Sequence, residues 1–401
     1  MNFERNIKTY YFYSTFAELL ILGPVMTLFL IAKGCSFTEI MLLQSISAIT
    51  QVLFEVPTGA VADKQGRKVS ILLSSAIWAI SLFIYIIGKT FIVFAAAETI
   101  FSLGASLKSG ADSALIYDSL VSVKKEGEYQ KVEGKARSYA LYAQAIGSVL
   151  SGFIYEVNIY LPMAVSIIFM IVTFIITLFF YEPPYQKETQ HEGVNYYRQI
   201  SDSSRYIFKH EKLKAVVLFC TVFFIFYRAG FWYYQPYMEA VNIPVKYFGI
   251  IFFLFNITAA FISKRSHYIM EKTKPRTLSF LALLMGASFF LMGTVKIWPG
   301  FLAILLQQVA RGLYGPVTTK YINKHIPSDK RATILSFSSL SCNIAVAVTF
   351  PFMGMLKDHA DIFSTHLVLT AAMVISMGAC TRYMNKRIGK RRGADTLTLK
   401  P

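Results

Sequence analysis

The apolar residues of this chain are gathered into twelve runs of about twenty residues, and this pattern limits the folds open to it. A run of that length, as an α-helix, spans roughly 30 Å of hydrocarbon. Within lipid a helix satisfies its own backbone hydrogen bonds, so a helical bundle is expected. We therefore predict an all-α membrane protein with twelve transmembrane helices, near residues 7–32, 38–58, 69–88, 91–120, 134–155, 161–181, 214–239, 246–264, 276–296, 299–324, 330–356 and 362–384.

Composition and the placement of basic residues indicate how the chain sits in its membrane. Hydrophobic residues make up 55% of the chain and charged residues 16%, whereas soluble domains carry about a quarter charged residues. If the N-terminus is cytoplasmic, the external loops hold only five of the 40 Lys and Arg residues, namely Lys33, Lys89, Lys246, Lys296 and Lys357. This bias follows the positive-inside rule. We expect a multi-pass protein of the cell (inner) membrane, surrounded by lipid bilayer, with both termini cytoplasmic and no nucleic-acid partner.

The chain divides near its middle, where Glu182-Pro183-Pro184 ends the sixth run. Prolines just past a helix end prevent its continuation. We expect residues 1–182 and 214–385 to form two pseudo-symmetric six-helix bundles, joined by a cytoplasmic linker at 183–213 and followed by a basic cytoplasmic tail at 386–401. Tyr196, Ile200 and Ile207 have near-helical spacing, so the linker is either an amphipathic helix on the membrane surface or a disordered connection.

A polar segment at residues 59–68, with the sequence GAVADKQGRK, separates the second and third runs. Gly59 allows a neighbouring helix to approach closely, and Gly66 allows a turn with positive φ. The spacing G-x-x-x-D-x-x-G-R-K resembles the loop signature of the major facilitator superfamily of secondary transporters. That resemblance implies the two-bundle major facilitator fold and transport by alternating access.

The charges of the same segment are expected to form a cytoplasmic gate. Asp63 follows a helix end, where an acid is unfavourable unless it faces a cation or a helix N-terminus. The resemblance implies that this aspartate locks onto the start of the eleventh helix, where Arg331 is the candidate partner. Arg67, next to Lys68, is expected to pair with Asp118 at the end of the fourth run. The alternative is that these are ordinary charges that only set the topology.

Other short segments resemble a bacterial branch of that family that exports drugs and other small molecules. They are residues 109–118 in the fourth run, Arg311-Gly312 and Gly315-Pro316 in the tenth, Tyr321-Ile322-Asn323, and Arg331-Ala332-Thr333. Residues 147–152 partly resemble a motif of the family's antiporters but lack its proline and one of its glycines. Small residues at that place also simply permit close helix packing.

Four ionisable residues lie near the middle of apolar runs: Glu18, Glu98, Arg228 and Arg311. Lys108 and Asp112 also lie in the fourth run, nearer its cytoplasmic end, four residues apart and thus on one helix face. A charge inside the membrane costs several kcal/mol, so it faces a cavity or a partner. The resemblance implies that the first, fourth, seventh and tenth helices, which carry these residues, line the central cavity. We expect Glu18 or Glu98 to carry protons, with Arg228 and Arg311 as charge partners. The alternative is a fixed ion pair between Glu18 and Arg228.

Aromatic and amide side chains near these charges suit a small amphipathic substrate. The candidates for the substrate cavity are Phe16, Tyr227, Phe231, Tyr234, Gln235, Asn256, Gln307 and Gln308. We therefore predict a monomeric secondary transporter that couples proton movement to efflux of an amphipathic organic molecule or drug. A facilitator or symporter that imports a sugar or other nutrient is the alternative.

A membrane-embedded enzyme is a more distant alternative. The six histidines and four cysteines are scattered and form no metal-ligand or nucleophile–base pattern. The sequence also has no G-x-x-x-x-G-K-[ST] loop for ATP phosphates. We expect no enzymatic activity, no metal and no cofactor.

Overall fold

The computed structural model describes residues 3–19, 21–183, 204–323 and 331–388, and nearly all of them are helical. The helices are α1 Glu4–Ala17, α2 Met26–Ala32, α3 Phe37–Gln65, α4 Arg67–Ile87, α5 Phe91–Lys108, α6 Ala111–Ser122, α7 Tyr129–Val157, α8 Leu161–Leu178, α9 204–209, α10 Glu211–Ala240, α11 Phe248–Lys264, α12 Ser266–Thr273, α13 Thr277–Thr294, α14 Ile304–Asn323, α15 Arg331–His359 and α16 Ile362–Ile388. Short 3-10 turns precede α7, α11, α13 and α14. Every apolar run contains at least one of these helices, which confirms the all-α prediction.

Within the described residues, nine helical spans are long and apolar enough to cross a membrane. The runs at 7–32, 134–155 and 299–324 are helical but do not meet that condition. The first is divided between α1 and α2, α7 carries charges in its early turns, and α14 contains Arg311 and Lys320. The protein is thus an all-helical, multi-pass membrane protein, and the count of twelve stays a prediction.

The first and fourth runs are each interrupted rather than continuous. Between α1 and α2 the chain passes through Gly23-Pro24, and proline cannot supply the amide that a helix requires. Between α5 and α6 it turns at Gly110, whose φ of 78° is in the left-handed region that glycine enters without strain. By contrast, α10 runs unbroken through Pro236. Interrupted helices place backbone polar groups inside the membrane, as in the binding sites of many transporters.

Helices from before residue 183 pack against helices from after residue 204, chiefly α3 on α15 and α7 on α11. At one end the Asp358 carboxylate accepts hydrogen bonds from the amides of Phe37 (2.9 Å) and Thr38 (2.8 Å), at the start of α3. At the same end the Lys246 amide donates to Glu156 Oε1 at 3.1 Å. We call this the Asp358 end, and the opposite end, which contains Gly66, the Gly66 end. The two parts of the chain are therefore joined by hydrogen bonds at the Asp358 end.

The contact between α7 and α11 depends on glycine. A Cβ atom added to Gly249 would lie 2.0 Å from the Ser148 carbonyl oxygen, and one added to Gly152 would lie 2.5 Å from that of Val245. Small residues let helix backbones touch in lipid, where packing rather than the hydrophobic effect drives association. The two backbones form a seam, which we call the glycine seam, with no side chain between them at these points.

The expected linker is described only near its end. Residues 204–209 form the short helix α9, whose Ile207 is buried in a cluster with Leu213, Val216 and Ile334. Residues 184–203, including Tyr196 and Ile200, lie outside the described residues, as does the tail beyond residue 388. The interfacial helix and the basic tail therefore stay predictions.

Substitution of Gly249 by alanine tests the seam. The added Cβ would force the backbones of α7 and α11 apart, and overpacking of this kind costs about 1–3 kcal/mol. We expect Gly249→Ala to lower the thermal unfolding temperature of the detergent-purified protein. Gly286→Ala in α13 is the matched control, since nothing lies within 4 Å of the added atom there. Equal unfolding temperatures for the two variants would contradict the close contact.

Candidate functional site

The two interrupted runs meet at an ion pair. Glu18 ends α1, Lys108 is the last residue of α5, and Lys108 Nζ lies 2.7 Å from Glu18 Oε1. The Lys108 ammonium also lies 5.6 Å from the centre of the Trp78 ring, which adds a cation–π attraction. The proposed fixed pair of Glu18 with Arg228 is therefore wrong. The sequence suggested that Lys108 shares one helix face with Asp112, but the turn at Gly110 separates them.

Glu98 is buried between three helices. Tyr85 of α4 donates a hydrogen bond to Glu98 Oε2 at 2.5 Å. Ser47 of α3, whose hydroxyl is hydrogen-bonded to that of Ser102 at 2.6 Å, lies near the same carboxyl group. Arg228 of α10 lies within electrostatic range of it. Glu98 thus has a hydrogen-bond partner from the first part of the chain and a cation from the second.

The Arg228 side chain is exposed, although its neighbours along α10 are buried or half-buried. A charged side chain with surface exposure inside a membrane-spanning helix is expected to face a cavity rather than lipid. Among the described residues it makes no hydrogen bond and no ion pair, although Glu98 and the Tyr227 ring are near enough to act on its charge. Its charge is therefore balanced at a distance rather than by contact.

Five of the predicted residues form one hydrogen-bond network between α10, α11 and α14. Arg311 Nη1 donates to Asn256 Oδ1 at 3.0 Å and to Gln308 Oε1 at 3.3 Å. Gln308 Nε2 donates to the Tyr234 hydroxyl at 3.2 Å, and that hydroxyl donates to Gln307 Oε1 at 2.9 Å. The structure thus brings Tyr234, Asn256, Gln307, Gln308 and Arg311 together at one place.

Gln235 has a different position from the one predicted. Its side chain is fully buried, and its Oε1 accepts hydrogen bonds from the amides of Thr27 (2.9 Å) and Leu28 (3.2 Å). Its Nε2 donates to the Gly23 carbonyl oxygen at 2.8 Å. Gln235, from the second part of the chain, therefore stabilises the break between α1 and α2 in the first part. Both polar atoms of its side chain bond to that backbone rather than facing a substrate.

The remaining aromatic candidates lie in two places. Tyr227 stacks on Tyr314 with ring centres 5.4 Å apart, and Phe231 packs edge-on against Phe252 at 6.0 Å. Both are half-buried beside the Arg311 network. Phe16, also half-buried, packs instead against Phe169 of α8 at 6.2 Å. Tyr227 and Phe231 thus form an apolar wall next to the amide groups.

The segment at residues 59–68 is a sharp turn rather than an extended loop. Helix α3 continues to Gln65, and Gly66 alone makes the turn, with the predicted positive φ, here 98°. The expected ion pair of Arg67 with Asp118 is present at 2.8 Å. Lys68 Nζ donates to the Leu178 carbonyl oxygen, also at 2.8 Å.

Glu182, which sequence reasoning treated only as the end of a helix, completes this turn. Its carboxylate accepts hydrogen bonds from the amides of Arg67 and Lys68, each at 2.8 Å. It therefore caps the start of α4, where the positive end of the helix dipole favours an anion. The sequence did contain a signal for this cap. Gly66, at the N-cap of α4, has no side chain that could accept the first amides, and an acid follows the sixth run directly.

The structure differs from the expectations for Gly59 and Asp63, and the side chain of Arg331 is not described. Among the described residues, no atom lies within 4 Å of a Cβ added to Gly59, so the close helix contact expected there is not seen. Asp63 is exposed in the last turn of α3. The side chain of its expected partner, Arg331, lies outside the described side chains, so that pairing stays a prediction.

Comparison with known proteins places these features in a family. The family model described as Major Facilitator Superfamily matches residues 11–348 and 217–395. The chain is 27% identical over 366 residues to the uncharacterized MFS-type transporter YxaM of Bacillus subtilis, covering 88% of this chain and 90% of YxaM. It is 24% identical over 166 residues to the quinolone resistance protein NorA of Staphylococcus aureus, covering 41% of this chain and 42% of NorA.

Solved structures show the same fold. The crystal structure of the nucleoside transporter NupG superposes with a TM-score of 0.79 and covers 96% of this chain and 99% of its own, at 14% identity. The D-xylose-proton symporter superposes with a TM-score of 0.71 at 13% identity and covers 96% of this chain and 100% of its own. At such identities the likeness concerns the fold alone.

Loss of the Glu182 cap is expected to destabilise the Gly66 end. Loss of a helix cap costs about 1 kcal/mol, so Glu182→Ala should lower the unfolding temperature in detergent. Glu126→Ala, at an exposed acid of a 3-10 turn, is the control and should leave it unchanged. An unchanged unfolding temperature for Glu182→Ala would show that water replaces the cap without cost.

A double-mutant cycle tests the ion pair at the interrupted runs. Glu18→Gln and Lys108→Gln each leave one charge without its partner in a mostly apolar surrounding. Because the side chains are 26% and 17% exposed, we expect each single change to cost about 1–3 kcal/mol. The double variant should unfold at a higher temperature than either single variant. Additive losses would mean that the two charges are solvated independently.

Proposed function

Since the chain belongs to the Major Facilitator Superfamily, we propose that it is a secondary active transporter that works by alternating access. The family and the solved neighbours indicate a transporter rather than an enzyme. In this proposal the two halves, residues 1–182 and 214–385, each contribute six helices and rock about the glycine seam. A small-molecule substrate binds between them, within a monomer.

Glu98 is the proton carrier in this proposal. The observation that carries it is the placement of a buried carboxyl group, hydrogen-bonded to Tyr85, within electrostatic range of Arg228 from the other half. An ionised Glu98 attracts Arg228 and favours the arrangement seen here. A protonated Glu98 removes that attraction and lets α10 move. Glu18 is less suited, because Lys108 from its own half neutralises it at 2.7 Å.

The Gly66 end is the cytoplasmic end in this proposal. The positive-inside rule assigns the basic residues around Arg67 and Lys68 to the cytoplasm. The bonds of Asp358 with Phe37 and Thr38 then lie on the external side. On this assignment the structure corresponds to a state that is closed to the outside. Asp358 must release the start of α3 before the external side opens.

Efflux by exchange with protons is the direction we favour. The likeness to NorA, a quinolone resistance protein, supports it, although it spans less than half of each chain. The aromatic wall of Tyr227 and Phe231 suits an amphipathic organic molecule. Import is the second candidate, because the fold matches that of NupG, a nucleoside transporter, over almost its whole length.

Replacing Glu98 by a neutral residue should abolish proton-driven transport but leave substrate exchange intact. In proteoliposomes, we expect Glu98→Gln to lose uphill transport driven by a pH gradient, because no proton can be loaded or released. Substrate exchange without a gradient should continue, since the protein still changes conformation. Uphill transport that survives in Glu98→Gln would exclude this residue as the carrier.

Glu271→Gln is the control, at an exposed acid on α12 that should leave both activities intact.

The substrate itself is sought first by a growth screen in a host that lacks its own drug pumps. Expression of the wild type should raise resistance to an exported compound, and Glu98→Gln should not. Greater sensitivity on expression of the wild type would instead indicate import.

A further inference from the structure

We propose that Arg311, held by Asn256 and Gln308, binds a carboxylate of the transported molecule. The inference rests on the proposed function, because it assigns the substrate class of the same cavity. It separates the roles of the two cavity arginines. Arg228 responds to the charge of Glu98, and Arg311 receives the substrate.

The hydrogen bonds of Arg311 leave most of its guanidinium group available. Nη1 donates to Asn256 and Gln308, both neutral amide oxygens. Within the described part of the chain, Nε and Nη2 have no acceptor, and no carboxylate lies within ion-pair distance. A carboxylate bound through two parallel N–H groups is the geometry for which guanidinium is best suited. The amides thus orient the arginine without neutralising it.

The direction of Arg311 follows from the faces of the two helices that hold it. On α11 the exposed apolar stripe that suits lipid is Ile250, Leu254, Ile257 and Phe261. Asn256 lies off that stripe and two turns from Gly249, which contacts α7 of the other half. Arg311 bonds to Asn256 and therefore faces the space between the halves rather than lipid.

The exposed residues of α14 also indicate that Arg311 faces the space between the halves. Arg311, Gly315 and Thr319 follow each other at intervals of four residues, and all three are exposed. A lipid-facing stripe would be apolar, so these small and polar residues line a path that water can enter. The stripe continues to a cavity of about 200 Å³ whose lining includes Thr318, Thr319 and Asn343 beside the apolar Phe224 and Leu335. Arg311 thus stands at the inner end of a stripe of small and polar residues that leads toward the Gly66 end.

Among the described residues, no acid forms an ion pair with Arg311. Glu18 is paired with Lys108, and Glu98 is bonded to Tyr85 and lies beside Arg228. An unbalanced cation in the membrane interior is costly, and an anionic ligand removes that cost. The half-buried rings of Tyr227 and Phe231 offer an apolar surface next to the network. The site therefore suits an aromatic or amphipathic carboxylic acid.

Three probes with one aromatic body and different charge test the inference. They are indole-3-acetate, indole-3-acetamide and tryptamine, each added at millimolar concentration to the full-length protein in detergent. We expect indole-3-acetate to raise the unfolding temperature of the wild type and the other two to have little effect. We expect Arg311→Gln to abolish the shift and Arg311→Lys to retain part of it, because lysine keeps the charge but not the paired donors.

The controls keep a folding defect apart from a binding defect. The unfolding temperature of each variant without probe reports whether it folds, and Arg382→Gln on α16 should keep the full shift. No shift of the wild type with indole-3-acetate would overturn the inference. So would a larger shift with tryptamine, or a shift that survives in Arg311→Gln.

Failure of this inference and failure of the proposed function can be told apart. Binding in detergent requires no proton gradient, so Glu98→Gln should still bind indole-3-acetate even if Glu98 carries no proton. Conversely, a transporter that selects neutral or cationic molecules would keep its dependence on Glu98 in vesicles while Arg311→Gln transported normally.

Discussion

A charge inside a low-dielectric helix bundle must be matched by a partner, a hydrogen bond or water, and this constraint organises the interior of the protein. Glu18 and Lys108 meet that need by contact, at the place where two interrupted helices come together. Glu98 meets it through Tyr85, which leaves its interaction with Arg228 as an attraction across the two parts of the chain. Arg311 meets it with neutral amide oxygens alone. The ion pair therefore suits a structural role, whereas the incompletely matched charges of Arg228 and Arg311 suit functional ones.

Carboxylates cap helices at both ends of the molecule, with different consequences. Glu182 caps α4 from within the first part of the chain, so its bonds can persist through a movement of one half against the other. Asp358 caps α3 from the second part, so in the proposed alternating-access cycle its bonds would form in one conformation only. The free energy of a helix cap is about 1 kcal/mol, small enough to be made and broken in a transport cycle. A carboxylate cap can therefore stabilise one end of the molecule throughout the proposed cycle, whereas the cap at the other end can form and break during it.

The fold was largely predictable, because apolar runs of membrane-spanning length have few alternatives to helices. The positive φ of Gly66 also followed from the local pattern, and the pairing of Arg67 with Asp118 followed from their expected placement at the same end of the helices. What the sequence did not reveal depends on contacts between distant residues. Lys108 pairs with Glu18 across ninety positions because both helices stop at the same place. Gln235 satisfies backbone amides that no pattern of side chains marks, and Glu182 caps a helix more than a hundred residues away along the chain. The interruption at Gly110 looked like a continuation of the fourth run, since alanine and leucine resume directly after it.

The glycine seam has a consequence for how fast the molecule can change shape. Interlocked side chains resist movement, because each must leave one rotamer and find another as neighbouring surfaces slide. At Gly249 and Gly152 the opposing surfaces are bare main chain, which presents nothing to disengage. In the proposed alternating-access movement, the two halves could therefore turn at the seam while their backbones stay in contact. The barrier to that movement would then arise at the Asp358 and Gly66 ends, where hydrogen bonds break and water enters, and the rate would be set far from the axis of rotation.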